Sequence, residues 1–304
     1  MSEPTRTGVP DPVLPGADGP VGDAEPEQGF LRELSQFFIV PSLIVLLCVG
    51  VFIMFGLLSS ENKSARDFLQ EVRTRRGGDR WQAAFELSRA IGKQPERGAD
   101  PRLMADIISA LHQEGREDPQ VRKYLIIALE RLGSPEGGPA IIEALGDSDP
   151  EVRLHAARAL GTLGDVAGAA GPLTGLLDDE DPAIRKVAIH ALGRTHDPAA
   201  IPALLPLLED PAEEIRWNAA LALAVLGDGS GVGVISRMID RSHLDKVEGI
   251  TEDQKVSAMV NGIQAIYLLK DASFSARLRE LGEKDPSLNV REIALKAAES
   301  LGPR

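Results

Sequence analysis

The chain has 304 residues, 43% hydrophobic but only 4% aromatic, so any core must be packed from Ala, Leu, Ile and Val. Its formal net charge of −13 argues against nucleic acid, whose phosphates call for a basic footprint. A single cysteine, Cys48, excludes disulfides, zinc clusters and CxxC redox chemistry by count.

Residues 1–36 are rich in Pro, Gly, Asp and Glu and contribute about −5 of the net charge. They predict a disordered acidic N-terminal tail, because such a composition cannot bury enough apolar surface to offset its ordering entropy. Residues 37–59 predict a transmembrane helix. Phe37 to Leu58 carries no charge, and about 22 residues rising 1.5 Å each span a hydrocarbon core of ~30 Å. A cleaved signal peptide fits poorly, since no basic region precedes the run and Leu-Leu-Ser-Ser offers no small-x-small site. Pro41 falls in the first turn, and the spacing of Gly50 and Gly56 gives no GxxxG face. Lys63, Arg66, Arg73, Arg75, Arg76 and Arg80 follow the segment, whereas Arg32 alone lies close before it. The positive-inside rule then predicts a single-pass protein of a bacterial inner membrane with its C-terminal part in the cytoplasm.

Residues 60–304 repeat one phrase: Asp-Pro, then Arg, an Ala-rich stretch and Leu-Gly. It reads Asp118-Pro119, Arg122, Leu132-Gly133, then Asp149-Pro150, Arg153, Leu163-Gly164. It returns as Asp181-Pro182, Arg185, Leu192-Gly193 and as Asp210-Pro211, Arg216, Leu226-Gly227. The arginines recur about every 31 residues, the period of a solenoid of helical pairs. In one copy Asp149 caps a helix and Pro150 fills its first turn. Val152, Ala156, Ala159, Leu160 and Leu163 share one face, and Gly164 ends it. The preceding helix, from Ala140 to Leu145, supplies Ile141, Ile142 and Leu145.

Outward from the middle, Arg80-Trp81-Gln82-Ala83-Ala84 matches Arg216-Trp217-Asn218-Ala219-Ala220 and marks a first pair. Its partner helix spans Ala65 to Thr74, with Phe68, Leu69 and Val72 buried. Asp285-Pro286, Arg291 and Leu301-Gly302 mark the last copy. Between Arg216 and Arg291 one pair lacks the arginine, and its second helix runs from Glu252 to Lys270. The total is about seven pairs.

The phrases DPEVRLHAARALGTLGD, DPAIRKVAIHALGR and EEIRWNAALALAVLGD resemble the HEAT-repeat superfamily, especially the HEAT-like repeats associated with phycobilisome lyases. The resemblance covers about Arg80 to Gly302. It implies an all-α, right-handed α-solenoid of about seven HEAT-like pairs, preceded here by one transmembrane helix. It also implies a structural ladder between repeats, carried by Asp149, Asp181, Arg122, Arg153, Arg185 and Arg216. Adaptors, scaffolds, inhibitors and a few enzymes share the resemblance, so the function class stays open between a membrane-anchored scaffold and a lyase-like, tetrapyrrole-handling accessory.

Chemistry is thin. The five histidines form no HExxH, and the absence of a His-Glu dipeptide excludes the diiron hydroxylases that resemble this fold. Gly229-Ser230-Gly231 reads as a turn. No catalytic residue, metal, cofactor or small-molecule substrate is expected, and a protein partner is. The second helix of each pair lines the concave side in such arrays. Its solvent columns are Lys123, Tyr124, Ile127 and Arg131, then His155 and Arg158. Lys186, Val187, His190 and Arg194 follow, then Trp217, Asn218, Leu221 and Val225. They predict a basic strip with an apolar end at Trp217, suited to an acidic or mixed peptide segment. The bland alternative is a solvated face with Trp217 wedged between helices. The insertion from Arg241 to Thr251 is a second candidate contact, or a tolerated loop.

Overall fold

The computed structural model describes residues 39–59, 63–75, 77–93, 101–113 and 118–302. Two units divide at Asn62 and Lys63. The acidic tail, together with Phe37 and Phe38, lies outside the described residues. In the first unit α1 covers Val40–Ser59.

The expected membrane localisation is overturned. Among the described residues no helix is long and apolar enough to cross a membrane. The single-pass anchor through Phe37–Leu58 and the cytoplasmic placement that followed from it fall together.

The second unit is all-helical, with no strand among its described residues. Its first two helix pairs are α2 (Ala65–Thr74) with α3 (Arg80–Lys93), and α4 (Pro101–Gln113) with α5 (Pro119–Leu132). Next come α6 (Gly138–Glu143) with α7 (Pro150–Leu163), and α8 (Ala170–Gly175) with α9 (Pro182–Arg194). A fifth pair joins α10 (Ile201–Leu204) to α11 (Glu213–Val225). The sixth is α12 (Val232–Met238) with α14 (Glu252–Leu269), interrupted by the short α13 (Arg241–Leu244). The last pair is α15 (Ser275–Lys284) with α16 (Leu288–Ser300). Each first helix packs on its own second helix, and the second helices α3, α5, α7, α9, α11, α14 and α16 pack in sequence as one row. Such stacking buries a face that no single hairpin could cover.

Local chemistry sets the boundaries. Pro119, Pro150 and Pro182 occupy first turns, capped by Asp118, Asp149 and Asp181. Ser64 and Thr251 form capping boxes with Asp67 and Gln254. Val152, Ala156, Ala159 and Leu160 are fully buried, while Leu163 is half-buried at the rim of the same core. Leu69 and Val72 are buried in the first pair, with Phe68 packed against them. The core forms two clusters that meet on α11. That helix gives Ala222 and Leu223 to one and Ala220 and Ala224 to the other.

Two apparent repeats in the phrase turn out to be different things. Gly133, Gly164 and Gly227 follow their helices with positive φ, as end-glycines do. Gly193 instead lies inside α9, where a Cβ would stand 2.8 Å from the Cα of Ala222, so its absence lets α9 and α11 approach. Its counterpart is Gly161 of α7, which lies against Ala191. The position of Gly164 is taken in the next pair by His196, at φ 50°. The Asp-Pro step also changes meaning. In Asp149 and Asp181 the acid is the helix cap, whereas Asp210 and Asp285 lie six residues before their arginines, the station of Asp147 and Asp179.

Candidate functional site

The ladder between pairs is built on that station. Arg122 donates Nε and Nη2 to Asp147, at 2.6 and 2.8 Å, across 25 residues. Arg153 repeats the step to Asp179, at 2.8 and 3.2 Å. Its Nη1 meanwhile bonds the backbone oxygens of Asp147 and Ser148. Each carboxylate also accepts a backbone N–H, from Asp149 or Asp181. Arg153 thus lowers the pKa of Asp179, chiefly through its hydrogen bond. The acids facing the arginines are therefore Asp147 and Asp179. Asp149 and Asp181, expected in that role, bond the N–H groups of Glu151, Val152 and Ala183 instead. The signal was available in the sequence as an acid six residues before Arg153, Arg185, Arg216 and Arg291.

The pair without the arginine keeps its connection by another route. Lys255 occupies the arginine's place on α14 and pairs with Asp245 at 2.5 Å. Arg241, from the insertion, reaches Asp285 with Nε and Nη2 at 2.7 and 2.9 Å. Asp285 has a side chain only 1% exposed, and its backbone oxygen accepts from Arg291. The insertion therefore holds the last pair to the array.

Three bases of the expected strip, Lys123, Lys186 and Arg158, face acids of the array itself. Lys123 pairs with Glu151 at 3.2 Å, and Lys186 with Glu214 at 2.6 Å. Arg158 lies 3.7 Å from Glu130 and donates to His155 Nδ1 at 2.7 Å. Arg131 bonds the backbone oxygen of Ser88, and Arg194 that of Gly161. Tyr124 stacks on Trp81, with centroids 6.2 Å apart, and meets the edge of Phe85. His155 is pushed down to about 4 by burial, then by Arg158 and Lys123. His190 is shifted down by burial and by Arg194. An acid lies opposite each lysine because the next helix starts with Glu one step along the row.

Trp217, Asn218 and Leu221 are set apart from the columns of α5 and α7. They line a cleft of about 510 Å³ together with Lys186 of α9, Ser257 and Asn261 of α14, and Val247–Ile250 of the insertion. Its walls are apolar at Trp217, Leu221, Met238, Ala258 and Ile250 and polar at Asn218, Gln254 and Glu248. Glu213 accepts the Trp217 indole N–H at 2.9 Å, pairs with Arg216, and lies 3.4 Å from His243 Nε2. The indole is thereby fixed by an acid that the insertion also contacts. The structure joins the apolar end of the strip and the insertion in one concavity. It does not join Lys123, Tyr124 or His155 to it. Ile250 falls within the insertion named as a second candidate contact, whereas Glu213, one turn before Trp217, and Asn261, more than 40 residues beyond it, were not foreseen. Among the described residues no group of three or more metal-ligating side chains converges.

A row of helical hairpins with a side-chain ladder and one irregular cleft defines an α-solenoid repeat protein. A family model for HEAT repeats matches residues 104–180 and 169–251, and this supports a place in the HEAT-repeat superfamily. No curated protein matches the chain by sequence. Among solved structures, the chain is similar to one from the complex of CpcE and CpcF of phycocyanin lyase from Nostoc sp. PCC7120. The identity is 21% and the TM-score 0.52, covering 78% of this chain and 89% of that one. YibA of Escherichia coli is similar at 17% identity and TM-score 0.50, covering 82% and 97%. A designed armadillo repeat protein matches at 19% identity and TM-score 0.45, over 79% and 100%. The first two similarities bear on the fold alone.

Proposed function

We propose that this chain is a HEAT-repeat adaptor that binds a segment of another protein in the cleft between α11, α14 and the insertion. The supporting observation is the cleft itself. It is the place where an inserted loop, a partly exposed tryptophan and an apolar floor interrupt an otherwise self-satisfied row of helices. Rigid aromatic anchors in concave, half-apolar surroundings are the usual carriers of recognition energy. The lysines of the strip contribute orientation and spacing rather than free charge, since the next helix supplies their acids.

The test is peptide display against the full chain, followed by titration of the selected peptides with Trp217→Ala and Ile250→Asp. Each substitution is expected to weaken binding at least about tenfold, the size of a lost hot-spot contact. Peptides that bind both variants as well as the parent chain would remove the cleft from the function. A lyase-like, tetrapyrrole-handling role is the second reading, favoured by the fold shared with the phycocyanin lyase complex. Titration with a bilin tests it in the same preparation, because bound pigment shows as a visible absorbance shift that Trp217→Ala abolishes.

A further inference from the structure

Among the described residues the rung at Arg185 is open, and it opens into the cleft. Arg153 uses Nη1 on two backbone oxygens and Nε with Nη2 on the carboxylate of the next pair. Arg185 stands at the same station of α9 and gives Nη1 to the backbone oxygens of Asp179 and Glu180, at 2.7 and 3.1 Å. Among the described residues no acid meets its Nε and Nη2. Asp210, the corresponding acid of the next pair, accepts from the backbone N–H of Ala212 and forms no ion pair with Arg185. Arg185 instead lines the cleft with Trp217, Leu221 and Ile250.

We infer that the segment bound in the cleft carries an Asp or Glu side chain that closes this rung, taking the place held by Asp147 and Asp179 in the two steps before it. The inference rests on the adaptor reading above and specifies its ligand. The remaining charges of the cleft support it. Lys186 is paired with Glu214, and Glu213 is occupied by Arg216 and the Trp217 indole. Glu248 has no partner among the described residues, and it lies in the inserted loop that forms one wall. The free charge presented to a ligand is therefore one guanidinium fork and one carboxylate. A segment that fits has an acid for Arg185, a neighbouring apolar side chain for Trp217 and Leu221, and room for a base near Glu248. Planar, two-point recognition of a carboxylate is what a guanidinium provides and an ammonium does not.

The probe is the set of peptides enriched by panning a random dodecapeptide library on the full chain. Enriched peptides are expected to share an Asp or Glu close to a large apolar residue. Replacing that acid by its amide, or Arg185 by Gln or Lys, should weaken binding at least about tenfold, and the two changes together no further. Circular dichroism of Arg185→Gln should match the parent chain. If Trp217→Ala abolishes binding while Arg185→Gln and the amide peptide bind normally, the carboxylate anchor is wrong and the cleft reading survives. If enriched peptides ignore Trp217→Ala as well, both fall. A stability coupling between Arg185 and Asp210 equal to that between Arg153 and Asp179 would show the rung closed internally and overturn the inference.

Discussion

Replacing Arg241 by Ala should unfasten the last helix pair. The carboxylate of Asp285 is 1% exposed and receives two bonds from Arg241, at 2.7 and 2.9 Å, plus one from the Ser287 N–H at 2.9 Å. Removing one member of a buried ion pair costs about 3–5 kcal/mol, because the other charge is left desolvated. Arg241 itself is 21% exposed and the Ser287 bond survives, so the low end applies, about 3 kcal/mol. The pair with Glu252 adds nothing measurable, since that carboxylate is 61% exposed. In a repeat array each unit contacts only its neighbours, so the loss should concentrate in α15 and α16. Urea denaturation combined with amide hydrogen exchange measures this directly. Exchange in α15 and α16 should accelerate about a hundredfold while α5 and α7 keep their protection. Asp285→Asn should be nearly silent once Arg241 is gone. A loss below about 0.5 kcal/mol, or additive effects of the two substitutions, would refute the latch.

Gly193→Ala should destabilise by about 1–3 kcal/mol in the same denaturation assay, because the new methyl would sit 2.8 Å from the Cα of Ala222. Gly133→Ala meets no atom but stands at φ 66°, so its cost is strain, about 1 kcal/mol. His196→Gly should raise stability by up to about 1 kcal/mol. It relieves a positive φ of 50° and gives up only an exposed pair with Asp165. Stability should fall as pH drops from about 6.5 towards 4, read from the urea midpoint. Burial, then Arg158 and Lys123, hold His155 down at about 4, against the weaker pull of Glu151, and burial also lowers His190 and His243. A histidine with a depressed folded pKa contributes fully above its unfolded value of ~6.5 and loses that contribution as pH falls through the window. His155→Gln should flatten the profile, and a midpoint that rises with acid would contradict the assignment.

The repeat architecture was legible because it is written locally. Helical spacing in α7, the caps Asp118, Asp149 and Asp181, and the recurring arginine each depend on residues within one turn or one period. Misreadings arose where one phrase served two structures. Asp149-Pro150 and Asp210-Pro211 look alike, yet the distance to the arginine differs by two residues, and that moves the acid from the helix cap to the station held by Asp147 and Asp179. Leu192-Gly193 resembled a helix end, but the glycine is there for the close approach of Ala222. Along single helices the strip is basic. Charge on a row of helices is decided between them, where Glu151 and Glu214 lie 28 residues from their lysines.

The same contrast locates function. Where the array is regular, Arg122, Lys123, Arg153 and Lys186 are already paired with acids of the next pair, and a satisfied face offers a partner little beyond shape. Irregularity begins at α11. The two core clusters meet there, Trp217 and Leu221 lean outward, and the insertion follows one pair later. That insertion does two jobs that a plain turn could not: Arg241 secures the last pair and residues 247–250 wall the cleft. Disturbing one job need not disturb the other, because Arg241 and Ile250 sit at opposite ends of the loop. Arg241→Ala should therefore loosen α16 while leaving peptide affinity within about twofold, and Ile250→Asp should do the reverse. Equal losses of both properties in both variants would mean that the loop folds as one unit and that latch and wall cannot be separated.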